Sequence, residues 1–144
     1  LMIGVTSLAG RFPIPYMGGY SAAKAAFGVQ LSALRMELEG SGVRVVEVEP
    51  GDIRTDFHAA TEHGAERGKR AQNVWARQLK DMAQAPGPEK VAKRILEIVE
   101  GRDRRDRVTV GDFFQSKIAP LCLRVFPRSW VEWGLNRYFS GFGT

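Results

Sequence analysis

Tyr20 and Lys24 lie four residues apart in a stretch whose apolar spacing is helical. On a helix, residues four apart stack on one face, with Cβ atoms about 5–6 Å apart. An ammonium held beside a phenol favours the phenolate by Coulomb attraction, which equips such a pair to give and take a proton. With three tyrosines and six lysines in 144 residues, chance places about 0.13 such pairs in a chain of this composition, so the pair alone carries little weight. Ser7 stands thirteen residues before Tyr20, at the end of an apolar run. Requiring one of the seven serines at a fixed offset lowers the chance expectation to about 0.006.

The elements that must position these groups are legible around them. Leu1 to Thr6 (LMIGVT) is a nearly continuous apolar run, as in a parallel strand buried on both faces. Domains rarely begin with their most buried strand, so an N-terminal part is expected upstream. Residues 7–19 carry glycine and proline breakers around large apolar side chains and predict a structured loop. From Tyr20 to Glu39 the pattern is helical, with Ala23, Phe27, Leu31, Leu34 and Leu38 in one stripe suited to the core or a subunit interface. Gly40 and Gly42 stop it. Val43 to Val48 predicts a strand ended by Pro50-Gly51.

Farther on, a helix is predicted over Asn73 to Ala83. Pro86-Gly87-Pro88 breaks the chain. Glu89 to Glu100 predicts an amphipathic helix with Val91, Ile95, Leu96 and Val99 on one side, and Arg107 to Val110 a short strand. The order β-α-β-(α)-α-β argues for an α/β parallel sheet with Leu1–Thr6 at one edge. An aromatic tail, residues 111–144, is split by Pro127 into two helices.

Thr6-Ser7-Leu8-Ala9-Gly10 followed by Tyr20-Ser21-Ala22-Ala23-Lys24 resembles the catalytic segment of the short-chain dehydrogenase/reductase family. Pro50-Gly51-Asp52-Ile53-Arg54-Thr55 after a strand resembles that family's next motif. The resemblance covers residues 1 to about 56 closely, 88–110 by pattern, and the tail loosely. It implies the C-terminal half of a Rossmann-type doubly wound parallel sheet with an added helical tail: residues 1–110 as the catalytic half and 111–144 as the tail.

It further implies an NAD(P)-dependent oxidoreductase that interconverts alcohols with ketones or aldehydes. Tyr20 would be the general acid/base. Lys24 would assist it and hold the nicotinamide ribose. Ser7 would hydrogen-bond the substrate oxygen. Pro50, Gly51, Ile53 and Thr55 would hold the nicotinamide carboxamide, Thr55 being equally suited to capping the next segment. Trp75, Leu79 and Met82 would lie in the segment that folds over the substrate. The apolar loop Phe12 to Met17 would wall the substrate, which favours a hydrophobic one.

The sequence also departs from that family. The strand, glycine-rich turn and helix that hold a dinucleotide pyrophosphate do not occur in these residues. Gly40-Ser41-Gly42 follows a helix and precedes a strand, the reverse of what phosphate binding needs. The family's Asn-Asn-Ala-Gly segment and helical catalytic asparagine are missing too. The expectation is therefore a fragment, inactive by itself and uninformative on NAD against NADP, whose full-length parent is a homo-oligomer. The alternative is a non-catalytic module that dimerises through Tyr20–Glu39 or sits on a membrane surface through its tail.

Composition narrows the classes. The chain is 44% hydrophobic and 26% charged, a globular balance. No apolar run approaches the roughly 18 residues of a membrane span. Cys122 is the single cysteine, which excludes an internal disulfide, fits a reducing compartment such as the cytoplasm, and suits a small buried hydrophobe. His58 and His63 are the only histidines, and without a third ligand no metal site is expected. The net charge of +5 is uneven: residues 1–60 carry five basic and six acidic groups, residues 61–144 sixteen and ten. The alternating signs of Glu100 to Arg107 predict an exposed loop, and no nucleic-acid module is present. The basic, aromatic tail fits either a helix pair packed on the body or a peripheral membrane contact.

Overall fold

The run Val45-Val46-Glu47-Val48-Glu49-Pro50 forms the middle strand of a three-stranded parallel sheet. The computed structural model describes residues 1–55 and 68–140. Its strands are β1 (Met2–Val5), β2 (Val45–Pro50) and β3 (Arg107–Val110), in the order β1-β2-β3. Met2 pairs with Val45, and Glu47 with Arg107. Parallel neighbours need crossovers. α1 (Gly18–Glu37) supplies the first; α2 (Lys69–Ala83) and α3 (Glu89–Val99) supply the second. After β3 a π-helical turn, Phe114–Ile118, leads into α4 (Ala119–Val125), and α5 (Arg128–Ser140) follows Pro127. This is the open α/β sheet that the element order implies.

The two faces of β2 differ in chemistry because side chains alternate along a strand. Val46 and Val48 join Val108, Val110 and Ile98 in the apolar core, with Ile3, Val91 and Ile95 at its margin. Each such side chain, once buried, contributes about 1.5–3 kcal/mol. α3 therefore turns Val91, Ile95 and Ile98 inward and leaves Leu96 and Val99 exposed, a face rotated from the predicted stripe.

The other face carries Glu47 and Glu49, both almost fully buried. Glu47 accepts hydrogen bonds from the Thr6 hydroxyl at 2.9 Å and Arg107 Nε at 2.8 Å. Glu49 accepts one from the Thr109 hydroxyl at 2.9 Å, with Arg107 Nε 3.5 Å and Arg11 3.7 Å away. Burial pushes the Glu49 carboxyl up, while Thr109, Arg11 and Arg107 pull it down. α1 comes close to this face at Gly28, where a Cβ would stand 2.8 Å from the Glu47 carboxylate.

Two expectations are corrected. β1 is not buried on both faces: it is an edge strand, and Leu1, Met2 and Val5 are exposed. Strand burial follows position in the sheet, so β2, with a neighbour on either side, is the buried strand despite its two glutamates. α1 buries Ser21, Gly28 and Leu31: of the predicted stripe Leu31 is buried, Leu34 and Leu38 are half-buried, and Ala23 and Phe27 are exposed. Gly28 lets the helix approach Glu47 closely, and Leu31 packs over Gly4 of β1. His58, His63 and Phe142 lie outside the described residues.

Candidate active site at the strand ends

The carboxyl ends of β1 and β2 open into a cavity of about 1550 Å³, and Ser7, Tyr20, Pro50, Gly51, Ile53 and Thr55 all line it. Open parallel sheets bind ligands at this end of their strands. Ser7 follows β1 and caps the short 3-10 turn Leu8–Gly10, accepting the Ala9 N–H at 3.2 Å. Its hydroxyl also donates to the Pro50 carbonyl at 3.4 Å, so it spans the two strand ends.

Tyr20 sits in the first turn of α1. The loop before it closes where the Met17 N–H donates to the Ile14 carbonyl at 3.0 Å, and the Ser21 hydroxyl accepts the Ile14 N–H at 3.4 Å. Tyr16 holds a φ of 64° within that turn, a conformation that side chains other than glycine adopt at a cost. Lys24 does not line the cavity. Its Nζ lies 5.9 Å from the centre of the Tyr20 ring and donates to the Val5 carbonyl at 3.4 Å, which anchors the ammonium behind the phenol at the end of β1. One cavity thus brings Ser7 and Tyr20 together, with Lys24 in support.

The second strand end depends on a residue that the sequence pattern did not mark. Gln115, in the π-helical turn, accepts the Asp52 N–H at 3.0 Å and donates to the Asp52 carboxylate at 2.5 Å. It fills the space over Gly51 and Gly111: a Cβ on Gly51 would collide with its amide, and one on Gly111 would lie 2.7 Å from Oε1. The Gly51 N–H itself donates to the Val110 carbonyl at 2.7 Å. Burial raises the Asp52 carboxyl above its usual range, opposed by the Gln115 bond. Ile53 follows directly, and its backbone N–H meets no acceptor among the described residues. No local sequence signal marks Gln115, because it reaches Asp52 from 63 positions away.

The rest of the cavity wall is mostly apolar. Phe12, Ile14 and Met17 contribute from the loop before Tyr20, as expected. α2 contributes Met82 and Gln78, whereas Trp75 and Leu79 fall outside the wall. The Gln78 Oε1 is buried with no partner among the described residues, an acceptor that the sequence did not announce. Cys122 is half-buried in the wall rather than fully enclosed. α5 closes over α2 through Tyr138, whose hydroxyl donates to Asp81 at 2.5 Å, and through Arg70, which donates to Asn136 at 2.7 Å. Arg77 pairs with the same Asp81 at 3.0 Å and covers the Tyr138 ring at 4.3 Å. The tail is therefore a helix pair packed on the body, with Phe114, Leu123, Phe126 and Phe139 turned to the cavity.

The chain is similar to known proteins. A family model described as short chain dehydrogenase matches residues 1–66. A "Dehydrogenase/reductase SDR family protein 7-like" of Drosophila melanogaster is 32% identical over 117 residues, which are 80% of this chain and 32% of the relative. A "NADP-dependent 3-hydroxy acid dehydrogenase" of Schizosaccharomyces pombe is 33% identical over 113 residues, 77% of this chain and 39% of the relative. The chain thus spans about a third to two-fifths of the length of these relatives. Among solved structures, a short-chain dehydrogenase of Burkholderia cenocepacia J2315 in complex with NADP superposes with a TM-score of 0.66 at 22% identity, over 92% of this chain and 47% of that one.

Proposed function

We propose, from the premise that this chain belongs to the short-chain dehydrogenase/reductase family, that it carries the proton-transfer half of an NAD(P)-dependent oxidoreductase acting on a hydrophobic alcohol, ketone or aldehyde. The observation that carries this reading is the shared cavity of Ser7 and Tyr20, with the Lys24 ammonium held behind the phenol ring. The residues present suit the nicotinamide end of a dinucleotide: an Ile53 N–H without an acceptor among the described residues, and a cavity wall that includes Thr55.

When bound, the nicotinamide supplies or accepts the hydride. In reduction, the Tyr20 hydroxyl gives its proton to the substrate oxygen as that oxygen gains charge. In oxidation, the phenolate takes the proton back. Lys24 keeps one N–H on the Val5 carbonyl and offers its other donors to the phenol side and to a ribose hydroxyl. Ser7 donates to the same substrate oxygen in place of its long bond to Pro50 and steadies the developing charge. Ile53 and Thr55 hold the carboxamide, which orients the ring. The apolar walls exclude water, and Gln78 Oε1 offers an acceptor to a polar group on the substrate.

The reading places the enzyme in the cytoplasm. It assigns the pyrophosphate grip to residues other than these 144, among which no strand, glycine-rich turn and helix unit occurs. The test follows nicotinamide absorbance with a panel of apolar ketones, using the longest product of the reading frame that contains this chain. Tyr20→Phe is expected to lower kcat/KM by about 10²–10⁴-fold. A variant within about threefold of the parent refutes the acid/base role.

A further inference from the structure

We propose that the exposed surface of α4 and α5 around the mouth of the cavity is a docking surface for an anionic lipid bilayer, which places that mouth at the membrane surface. The docking claim stands on surface chemistry alone and is independent of whether the cavity catalyses hydride transfer.

Trp130 and Trp133 both line the cavity, yet they are 65% and 70% exposed, so they stand at its mouth. Phe126 stacks on Trp130, with ring centres 6.1 Å apart and planes 22° from parallel. Leu121 and Val125 on α4 are exposed as well. Single exposed apolar residues are ordinary on a protein surface, but a run of large ones on consecutive helices is the mark of a contact surface.

The charges around it select the partner. Arg128 is neutralised by Glu132 at 2.7 Å, and Asp112 accepts the Gln115 N–H at 2.7 Å. Lys117, Arg124 and Arg137 form no ion pair among the described residues. Indole rings beside unpaired cations suit the headgroup boundary, where the rings bury their faces and the long basic side chains reach lipid phosphates. A second copy of this chain meeting the same face across a two-fold axis would oppose these cations to one another. No described helix is long and apolar enough to cross a membrane, so this contact is peripheral and salt-sensitive.

The test sediments the 144-residue chain with vesicles of phosphatidylcholine, with and without phosphatidylglycerol. Retention is expected on the anionic vesicles, lower by about tenfold on neutral ones or at about 0.5 M salt. The double variant Arg124→Glu/Arg137→Glu lies outside the cavity wall and is expected to abolish retention while keeping its circular dichroism. In a Trp75→Phe background, the emission of Trp130 and Trp133 is expected to shift to the blue on binding. A folded chain that stays in the supernatant with anionic vesicles overturns the proposal. So does equal retention on neutral vesicles, retention unaffected by the double charge reversal, or self-association that shields Trp133 from a quencher without lipid.

Discussion

Gln115 joins two strand ends through one side chain. Its amide is spent on both polar groups of Asp52, and its bulk fills the space over Gly51 and Gly111. The turn that carries Asp52 and Ile53 is therefore fixed by the segment that follows β3. Gln115→Leu keeps the volume but leaves the Asp52 N–H and carboxylate unpaired, at an expected cost of about 1–3 kcal/mol in urea denaturation. On the proposed function, the same variant is expected to raise the KM for the nicotinamide cofactor more than it lowers kcat, because the turn loosens while Tyr20 and Ser7 stay in place. Equal stability and an unchanged cofactor KM would show that the latch is idle. Burial already raises the Asp52 carboxyl, so its ionised form disfavours folding as pH rises above the usual aspartate range. Losing the Gln115 bond should steepen that dependence.

Between α3 and β3 the chain turns around Asp103. Its alternating signs predict an exposed loop, yet Asp103 is buried. Its carboxylate accepts the Arg105 N–H at 3.2 Å and the Arg105 guanidinium at 2.9 and 2.5 Å, while Arg94 stands 3.5 Å away. Arg44 reaches its carbonyl at 2.8 Å and so ties the approach to β2 to the same turn. These partners, Arg105 above all, hold the Asp103 carboxyl down at about 2. A depressed carboxyl stabilises the folded state above its unfolded value of 3.8 and loses that contribution as pH falls from about 4 towards 2. Asp103→Asn is expected to cost about 1–2 kcal/mol at pH 7, discounted for the exposure of Arg105. The gap between parent and variant should narrow below about pH 4. Denaturation curves from pH 7 to 3 check this, and a gap independent of pH would remove the ion pairs as its cause.

For the molecule as a whole, folding leaves large apolar side chains exposed on several elements, and two of these surfaces differ in chemistry. The α4–α5 face is cationic. The outer face of α1 carries exposed Val29 and Met36, and the helix packs on the sheet through Gly28 and Leu31. We propose this second face as a surface for self-association. Val29→Asp/Met36→Glu is expected to lower the sedimenting mass without unfolding α1, since both side chains point to solvent. A mass identical to the parent's in analytical ultracentrifugation would rule the α1 face out as the contact.

The sequence by itself determined the order of strands and helices, the breaks at Pro50-Gly51, Pro86-Gly87-Pro88 and Pro127, and the candidate chemistry of Ser7, Tyr20 and Lys24. These are properties of local spacing and backbone preference, which a chain states residue by residue. Only the tertiary structure decided that Met2 and Val5 of β1 are exposed, that Glu47 and Glu49 lie buried with Glu47 against Gly28, that Lys24 stands behind the cavity rather than in it, and that Gln115 holds Asp52. Those facts join positions 19 to 63 residues apart. Burial and pairing at such distances are set by which surfaces the sheet brings together, and no local pattern encodes that.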